Sequence, residues 1–243
     1  MYQQAYARTP ANRLVRAGKK LRRPLDRFLA GQSRVPTTPF IDPALFPELN
    51  ELRREWRTIR AELEPLLAER SAIPPLGAIS PDHRRIAATP AWKSFFFIGY
   101  GYDSPANLAR CPRTAALLGA VPGLVVAFFS IMEPGAHVPP HRGVTKALVN
   151  CHLGLSVPRG RCAIRVGDQI RGWAEGEWLV LDDTYEHEVW NEAGEPRVVL
   201  FVQLRRPLAW RGRQLASLLL WGIGRSSYVQ DARGAIGGRR RRG

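Results

Sequence analysis

The chain has few cysteines and no long apolar run. Its 243 residues include only Cys111, Cys151 and Cys162, with no CxxC pair, which excludes a disulfide scaffold and favours a reducing, cytoplasmic compartment. The basic N-terminus lacks the apolar segment of a secretory signal. The longest apolar stretch near the C-terminus, LASLLLWGIG, is too short to span a bilayer. It fits a last helix packed on the core better than a small interfacial anchor.

Acidic residues are scarce at both ends of the chain. Residues 1–38 carry nine Lys or Arg against one acid, residues 208–243 carry eight against one, and residues 39–207 are balanced. We expect a flexible basic arm over 1–38, a domain over 39–207 and a basic extension over 208–243. The ends suit contact with an anionic bilayer, nucleic acid or an acidic protein, or they are solubilising tails. No basic helix-turn-helix pattern is present, which argues against specific binding of nucleic acid.

The middle of the chain has the pattern of a helix followed by short strands. Large apolar residues recur every three or four positions from Leu49 to Leu66, behind Asp42-Pro43, which indicates a capped amphipathic helix. Pro65 is expected to end or kink it. From Trp92 onward, β-rich runs alternate with Gly, Pro and Asp; the runs are WKSFFFIGYGY, LVVAFFSIM, ALVNCHLGLSV, CAIRVGD, EWLVLDD, HEVWNE and RVVLFVQL. This order predicts a mainly β fold, a jelly roll with N-terminal helical support.

Three of the five histidines lie in SIMEPGAHVPPHRGVTKALVNCHLGL, Ser130 to Leu155. His141 lies in a Pro/Gly loop before one predicted strand, and His187 follows the strand EWLVLDD. A lone histidine is more often a surface or core residue than a ligand. Antiparallel strands of a jelly roll can nevertheless bring two such imidazoles to the mouth of the fold, where metal-dependent members of this class keep their site.

These segments resemble the aspartyl/asparaginyl β-hydroxylase domain family. The similar blocks are SIMEPGAHVPPHRG, HLGLSVP, GEWLVLDDTYEHEVWN and RVVLFVQLRRP, in the family's order and spacing from about Phe95 to Pro207. Members of the family are iron(II)- and 2-oxoglutarate-dependent oxygenases on a double-stranded β-helix. The resemblance implies the cofactors Fe(II), 2-oxoglutarate and O₂. It also implies a reaction that yields succinate and CO₂ while an unactivated C–H bond is hydroxylated.

By this resemblance, His141 and His187 are the catalytic residues and the iron ligands. Gly143 stands where a His-x-Asp motif would carry a carboxylate, and the family resembles this chain in binding iron through two histidines, with water in place of the Asp. Neutral imidazole suits Fe(II). Ser130 and Arg197 match residues that hold the distal carboxylate of 2-oxoglutarate, for which the planar guanidinium is suited.

The predicted cosubstrate site also includes His152 and Asn150. His152 matches a residue near the metal-bound end of 2-oxoglutarate. Asn150 is a departure, because the family typically has an arginine there that helps to neutralise the cosubstrate. Lys146, Arg142 and Arg165 are alternative sources of the missing charge, and the sequence leaves the choice among them open.

Other polar residues near the blocks are expected to have supporting roles. Asp182 and Asp183 precede His187, and the family keeps this pair without using it on iron, so we expect hydrogen bonds within the loop or behind the ligands. His137 is expected to be structural or to lie behind the ligands, and His83 has no expected role.

The expected function is hydroxylation of a lipid acyl chain, of peptidyl Asp or Asn, or of a related small substrate. The basic ends favour a lipid surface, which would place the protein in the cytoplasm and at the inner face of the membrane. The alternative is a metal-binding jelly roll that binds or senses a ligand without turnover, and Asn150 is the feature that favours it.

Overall fold

The structure, a computed structural model, describes residues 13–79, 90–235 and 237–240. His83 and residues 1–12 of the predicted arm lie outside these ranges. The helices are α1 (Arg13–Gly31), α2 (Asn50–Arg54), α3 (Trp56–Ala68), α4 (Leu76–Ile79), α5 (Pro105–Arg110), α6 (Pro112–Gly119), α7 (Trp210–Gly224) and α8 (Ser227–Ala235). The strands are β1 (Phe40–Ile41), β2 (Trp92–Gly99), β3 (Tyr102–Asp103), β4 (Leu124–Met132), β5 (Ala136–His141), β6 (Leu148–Ser156), β7 (Cys162–Val166), β8 (Gln169–Arg171), β9 (Trp178–Leu181), β10 (His187–Asn191), β11 (Arg197–Arg205) and β12 (Arg239–Arg240).

The strands form two antiparallel sheets that face each other. The larger sheet has the order β1-β9-β6-β11-β4-β2-β3-β12 and the smaller has the order β5-β10-β7-β8. From β4 to β11 the chain passes back and forth between the sheets, with β7 and β8 paired as neighbours in the smaller one. This alternation is the double-stranded β-helix, and it confirms the predicted jelly roll.

Alternate residues of the larger sheet face different layers. Cys151 and Leu200 belong to a fully buried apolar cluster that the helices cover. Because successive side chains point to opposite faces of a strand, the residues beside them point to the inner face, toward the smaller sheet. The register pairs Val199 with Ser130, and Phe201 with His152. The predicted site residues on this inner face are Ser130, Asn150, His152 and Arg197.

The helical support before the sheets is shorter and more broken than the periodicity predicts. Asp42 caps the first turn, because its carboxylate accepts a hydrogen bond from the Ala44 N–H at 2.9 Å, but that turn is a 3-10 helix, Pro43–Leu45. Phe46 departs from the α conformation, because the ring of the following proline disfavours that conformation. A second 3-10 turn, Pro47–Leu49, begins after it. The α-helical part is divided between α2 and α3. Pro65 lies within α3 and the helix ends three residues later, at Ala68.

The described part of the basic arm is largely helical and contacts the domain, and the expected flexibility of residues 1–38 stays a prediction. Most of it is α1, and Leu29 of this helix is fully buried. Asp26 accepts a hydrogen bond from the Lys146 backbone N–H at 2.8 Å. Net charge does not reveal these contacts with the rest of the domain. The division of the chain at residues 38 and 207 stays a prediction.

The apolar segment near the C-terminus is helix α7, and one side of it packs on the core as expected. The buried residues of α7 are Gly212, Ala216 and Leu220. Within residues 13–79, 90–235 and 237–240, no helix is both long enough and apolar enough to cross a membrane.

Candidate active site

His141 ends β5 and His187 begins β10, and the register of these neighbouring strands places the two residues directly opposite each other. Their ring centroids are 4.0 Å apart. The Nδ1 atom of His141 lies 2.8 Å from the carbonyl oxygen of Pro139, and that of His187 lies 3.0 Å from the carbonyl oxygen of Tyr185. Because a carbonyl only accepts, each Nδ1 donates, and each Nε2 carries the lone pair that a metal ion requires.

Burial of His187 favours the protonation state that binds a metal. The side chain is 7% exposed, and this desolvation lowers its pKa below the ordinary value for histidine. The ring is therefore neutral at physiological pH. Neutral imidazole is the form in which histidine coordinates a divalent cation.

Arg197 begins β11 and lies deep on the inner face, with 2% of its surface exposed. One terminal nitrogen contacts the Met132 sulfur, and the guanidinium carbon lies 4.4 Å from the centre of the Trp173 ring. Among the described residues, Nε and Nη1 of Arg197 have no hydrogen-bond partner. Burial lowers its pKa to about 10, so the group is still charged at neutral pH. A buried cation of this kind is costly unless an anion binds it.

Ser130 lies on β4 beside the arginine strand, on the same inner face. It is 3% exposed, and its hydroxyl accepts a hydrogen bond from Nε1 of Trp92 at 3.0 Å. The hydroxyl proton can therefore be donated elsewhere. Together, Ser130 and Arg197 fit a carboxylate held by a hydroxyl and a guanidinium.

His152 lies on β6, and a tryptophan sets which of its nitrogens carries the proton. Nε1 of Trp173 donates to Nδ1 of His152 at 3.3 Å. Burial, followed by the charge of Arg197, holds the pKa of His152 well below its usual range, so the ring is neutral. Because an indole N–H only donates, the proton of His152 resides on Nε2. This buried Nε2 has no partner in the part of the chain that the structure describes, and it fits a ligand that accepts a hydrogen bond.

Asp183 fills the space beside Gly143, the position where a His-x-Asp motif would carry its carboxylate. A Cβ atom at residue 143 would lie 2.0 Å from the carboxyl carbon of Asp183. No side chain fits at residue 143 unless Asp183 moves. Burial, and secondly the Asp182 carboxylate, raises the pKa of Asp183 to about 7. The structure thus gives a steric reason for the glycine.

Both polar atoms of the Asn150 side-chain amide form hydrogen bonds with other side chains of the protein. Its Nδ2 group donates to Asp183 at 3.1 Å, and its Oδ1 accepts from Nε2 of Gln203 at 2.8 Å. The residue is 6% exposed. Asn150 therefore lies within the predicted site and connects two of its strands, but it supplies no positive charge.

Each of the three alternative cations already has a hydrogen-bond or ion-pair partner of its own. Nζ of Lys146 lies 2.6 Å from the Asp182 carboxylate. Arg142 donates to a backbone carbonyl oxygen at 3.3 Å. Arg165 donates to the Glu188 carboxylate at 2.7 Å. Arg197, by contrast, is buried on the inner face of the larger sheet, and two of its nitrogens have no hydrogen-bond partner among the described residues.

Two further polar residues serve the surrounding structure. Asp182 is fully buried between Lys146 and Arg206, whose nearest nitrogens lie 2.6 and 2.5 Å from the same carboxylate oxygen. This network fixes the loop that leads to β10. The His137 side chain is 55% exposed and its Nε2 lies 3.4 Å from Glu188, so it belongs to the outer surface of β5.

Two side chains of this site, Trp173 and Gln203, are not predicted from the sequence. Gln203 could have been found, because it follows Arg197 at an even spacing on one strand and therefore points to the same face. Trp173 lies between β8 and β9, in a segment without strand periodicity. Its contacts with His152 and Arg197 come from the tertiary fold alone.

A jelly roll with a pair of neighbouring histidines and a buried arginine without a carboxylate partner among the described residues is typical of proteins that bind a small ligand on the inner face of the sheets. The family model described as Aspartyl/Asparaginyl beta-hydroxylase matches residues 53–207 of this chain. The chain belongs to this family. In the described ranges, no group of three or more His, Cys, Asp or Glu side chains is arranged to hold a metal ion.

Curated relatives fall into two groups by name. The chain is 45% identical over 172 residues to an ornithine lipid ester-linked acyl 2-hydroxylase of Rhizobium tropici, covering 70% of this chain and 61% of that protein. It is 33% identical over 185 residues to human aspartate beta-hydroxylase domain-containing protein 2, covering 71% of this chain and 48% of that protein. The chain therefore spans less than two thirds of the length of these relatives.

Among solved structures, the chain is similar to KdgF from Halomonas sp., with 15% identity and a TM-score of 0.32 over 49% of this chain and 82% of that one. It is also similar to the cupin domain of Schizosaccharomyces pombe Cnp3, with 13% identity and a TM-score of 0.31 over 44% of this chain and 66% of that one.

Proposed function

We propose that the protein is an Fe(II)- and 2-oxoglutarate-dependent hydroxylase that acts on the acyl chain of a membrane lipid. The observation that carries the proposal is the histidine pair, His141 and His187, in a fold that also buries Arg197, whose Nε and Nη1 atoms have no hydrogen-bond partner among the described residues. A divalent metal and a dicarboxylate are the groups that these two features fit.

Different residues of the site would bind the iron and the 2-oxoglutarate. His141 and His187 would hold iron through their Nε2 atoms. Arg197 and Ser130 would hold the far carboxylate of 2-oxoglutarate, and the Nε2–H group of His152 would donate to its metal-bound end. When bound, iron and 2-oxoglutarate supply the oxygen-activating chemistry that hydroxylates a C–H bond. The protein contributes orientation, burial and charge neutralisation.

The choice of a lipid acyl chain rests on similarity and on surface chemistry. The relative named as a lipid acyl 2-hydroxylase is 45% identical to this chain over 172 residues, whereas those named for aspartate hydroxylation are 30% to 37% identical. The excess of basic residues at both ends suits the inner, cytoplasmic face of a membrane that carries anionic lipids. Peptidyl Asp or Asn is the competing substrate.

The test is an anaerobic titration of the Fe(II)-loaded protein with 2-oxoglutarate, followed by admission of air. We expect a weak visible charge-transfer band before oxygen and succinate after it. Vesicles containing an amino-acid lipid should raise succinate formation, and the lipid should gain the mass of one oxygen atom. Stimulation by an Asp- or Asn-containing peptide instead would replace the lipid by a peptide substrate.

The same titration tests the alternative of a binding module without turnover. Asn150 favours that alternative, because it stands in place of an arginine and is committed to Asp183 and Gln203. If iron binds but neither a band nor succinate is observed at high 2-oxoglutarate, the hydroxylase proposal is wrong and the binding module takes its place.

Changing Trp173 to phenylalanine is expected to weaken 2-oxoglutarate binding while metal binding stays the same. The substitution keeps an aromatic ring beside Arg197 but removes the donor that fixes the proton of His152 on Nε2. One lost hydrogen bond of this kind is worth about 1 kcal/mol, or about fivefold in Kd. The measurement is calorimetric titration with 2-oxoglutarate in the presence of Mn(II), which avoids turnover.

Trp178 provides the matched control for this experiment. Its indole N–H donates to the backbone of Leu49 at 3.1 Å on the helix side of the sheet. Trp178→Phe should therefore lower the melting temperature without changing the affinity for 2-oxoglutarate. An equal loss of affinity in both variants would mean that Trp173 acts only through general stability.

A further inference from the structure

The outer side of helix α7 exposes large apolar residues. Trp210, Leu218 and Trp221 are 62%, 64% and 58% exposed. With 3.6 residues per turn, these three side chains fall within about 80° of the helix circumference. They lie opposite the buried side that contains Ala216 and Leu220. Helix α7 therefore exposes three large apolar side chains, with Gln214 and Ser217 among them, on the side that the core does not cover.

Helix α1 lies beside α7 and extends the exposed apolar surface. The backbone N–H of Ala209, just before α7, donates to the carbonyl oxygen of Gln32 at 2.8 Å. Leu29 of α1 packs in one buried cluster with Ala216 of α7. On its exposed side, α1 presents Leu21, 56% exposed, and Phe28, 42% exposed.

Helix α1 also contacts the loop that follows His141. The guanidinium of Arg22 bonds the carbonyl oxygen of Gly143, and Asp26 accepts from the backbone of Lys146. Val144, between these two contacts, is 59% exposed. The exposed apolar residues thus lie on three elements that touch one another, and the third begins at the candidate active site. We call this set the apolar face; its members are Leu21, Phe28, Val144, Trp210, Leu218 and Trp221.

The exposed charged side chains of α1 and α7 beside the apolar face are positive. Helix α7 contains no acidic residue, and the arginines Arg211 and Arg213 on it are exposed. Arg225 places its guanidinium 4.0 Å from the centre of the Trp221 ring. On α1, Arg23 and Arg27 are exposed as well. An occupant that matches this surface is apolar within and negatively charged at its boundary.

A bilayer with anionic lipids has this chemistry. Tryptophan prefers the membrane interface, and a helix with an apolar side flanked by arginines lies in the plane of that interface. Basic side chains near such a surface add attraction that salt screens. A second copy of the chain fits less well, because it would bring the same positive charges to the contact.

We propose that the apolar face docks on an anionic lipid bilayer and holds the loop after His141 at the membrane surface. The proposal builds on the proposed lipid substrate, since it explains how an acyl chain would reach the site. Docking can nevertheless be measured without turnover. The two proposals can therefore fail separately.

The experiment compares the full chain with a triple variant, Trp210→Ser, Leu218→Ser and Trp221→Ser, in flotation with phosphatidylglycerol–phosphatidylcholine vesicles. We expect the variant to bind at least about tenfold more weakly, because it loses the apolar contribution. The unchanged protein should bind pure phosphatidylcholine weakly, and it should be released by high salt. The control changes two exposed apolar residues elsewhere, Leu45→Ser and Ile170→Ser, and it should bind as tightly as the unchanged protein.

Several outcomes would overturn the docking proposal. They are equal vesicle binding by the triple variant and the unchanged protein, no vesicle binding by the unchanged protein, and equal loss in the control variant. A concentration-dependent dimer that the triple substitution abolishes, without vesicle binding, would assign the apolar face to self-association. Because none of the substituted residues lies in the site, the triple variant should bind Mn(II) and 2-oxoglutarate normally. Vesicle binding without succinate formation would overturn the hydroxylase proposal and leave docking intact.

Discussion

Replacing His187 by alanine is expected to abolish Fe(II) binding, and replacing His141 should do the same. The two rings face each other across neighbouring strands, and each backbone-bonded Nδ1 leaves Nε2 as the coordinating atom. A site that depends on two protein ligands loses half of them in either variant, so we expect affinity to fall by at least about a hundredfold. The measurement is metal content after anaerobic loading, together with a Mn(II) titration.

His137 supplies a matched control for these two variants. It lies on β5, the same strand as His141, but its side chain is 55% exposed and lies beside Glu188. His137→Ala should therefore bind iron as the unchanged protein does. Full iron occupancy in both the His141 and the His187 variant would show that the pair does not hold the metal.

The jelly roll could be predicted because its strands carry strong local signals. Runs such as LVVAFFSIM and RVVLFVQL are short, rich in β-branched and aromatic residues, and bounded by turn residues. The helical support was harder to predict, because the apolar spacing from Leu49 to Leu66 indicates one helix, whereas the structure has two, α2 and α3, divided at Glu55. The packing of α1 could not be predicted, since its contacts at Asp26 and Leu29 depend on residues more than a hundred positions away.

The candidate site could likewise be predicted only in part. The resemblance located Ser130, His152 and Arg197, and the structure places all three on one face of the larger sheet. Their roles toward a cosubstrate stay predictions. The environment of Asn150 could not be predicted from its neighbours in sequence, because Asp183 reaches it from the loop after β9 and Gln203 from β11. The steric reason for Gly143 likewise depends on the loop after β9.

The basic excess at the ends of the chain could be read from the sequence, but it does not show how the C-terminal segment packs. The basic excess of residues 208–243 is visible in the sequence, and so is the apolar stretch LASLLLWGIG. Sequence alone left open whether that stretch packs on the core or lies at an interface. The structure has α7 packed on the core on one side and exposed on the other, and contact of the exposed side with a membrane interface stays a proposal.

Replacing Arg197 by methionine is expected to remove most of the affinity for 2-oxoglutarate and to leave metal binding unchanged. The guanidinium is 2% exposed, and its Nε and Nη1 atoms have no partner among the described residues. Loss of one partner from a buried charge pair costs about 3 kcal/mol or more, which is about a hundredfold in Kd. The measurement is calorimetric titration of the Mn(II)-loaded variant with 2-oxoglutarate.

The melting temperature without 2-oxoglutarate separates a binding role of Arg197 from a structural one. If Arg197 serves to bind an anion, its buried charge destabilises the protein when no anion is present. Methionine of similar length removes that charge, so Arg197→Met should melt no lower than the unchanged protein. Added 2-oxoglutarate should raise the melting temperature of the unchanged protein and not that of the variant. Arg197→Lys keeps the charge without the planar fork, so it should retain part of this shift. A variant that melts much lower and loses metal and 2-oxoglutarate together would show that Arg197 is structural.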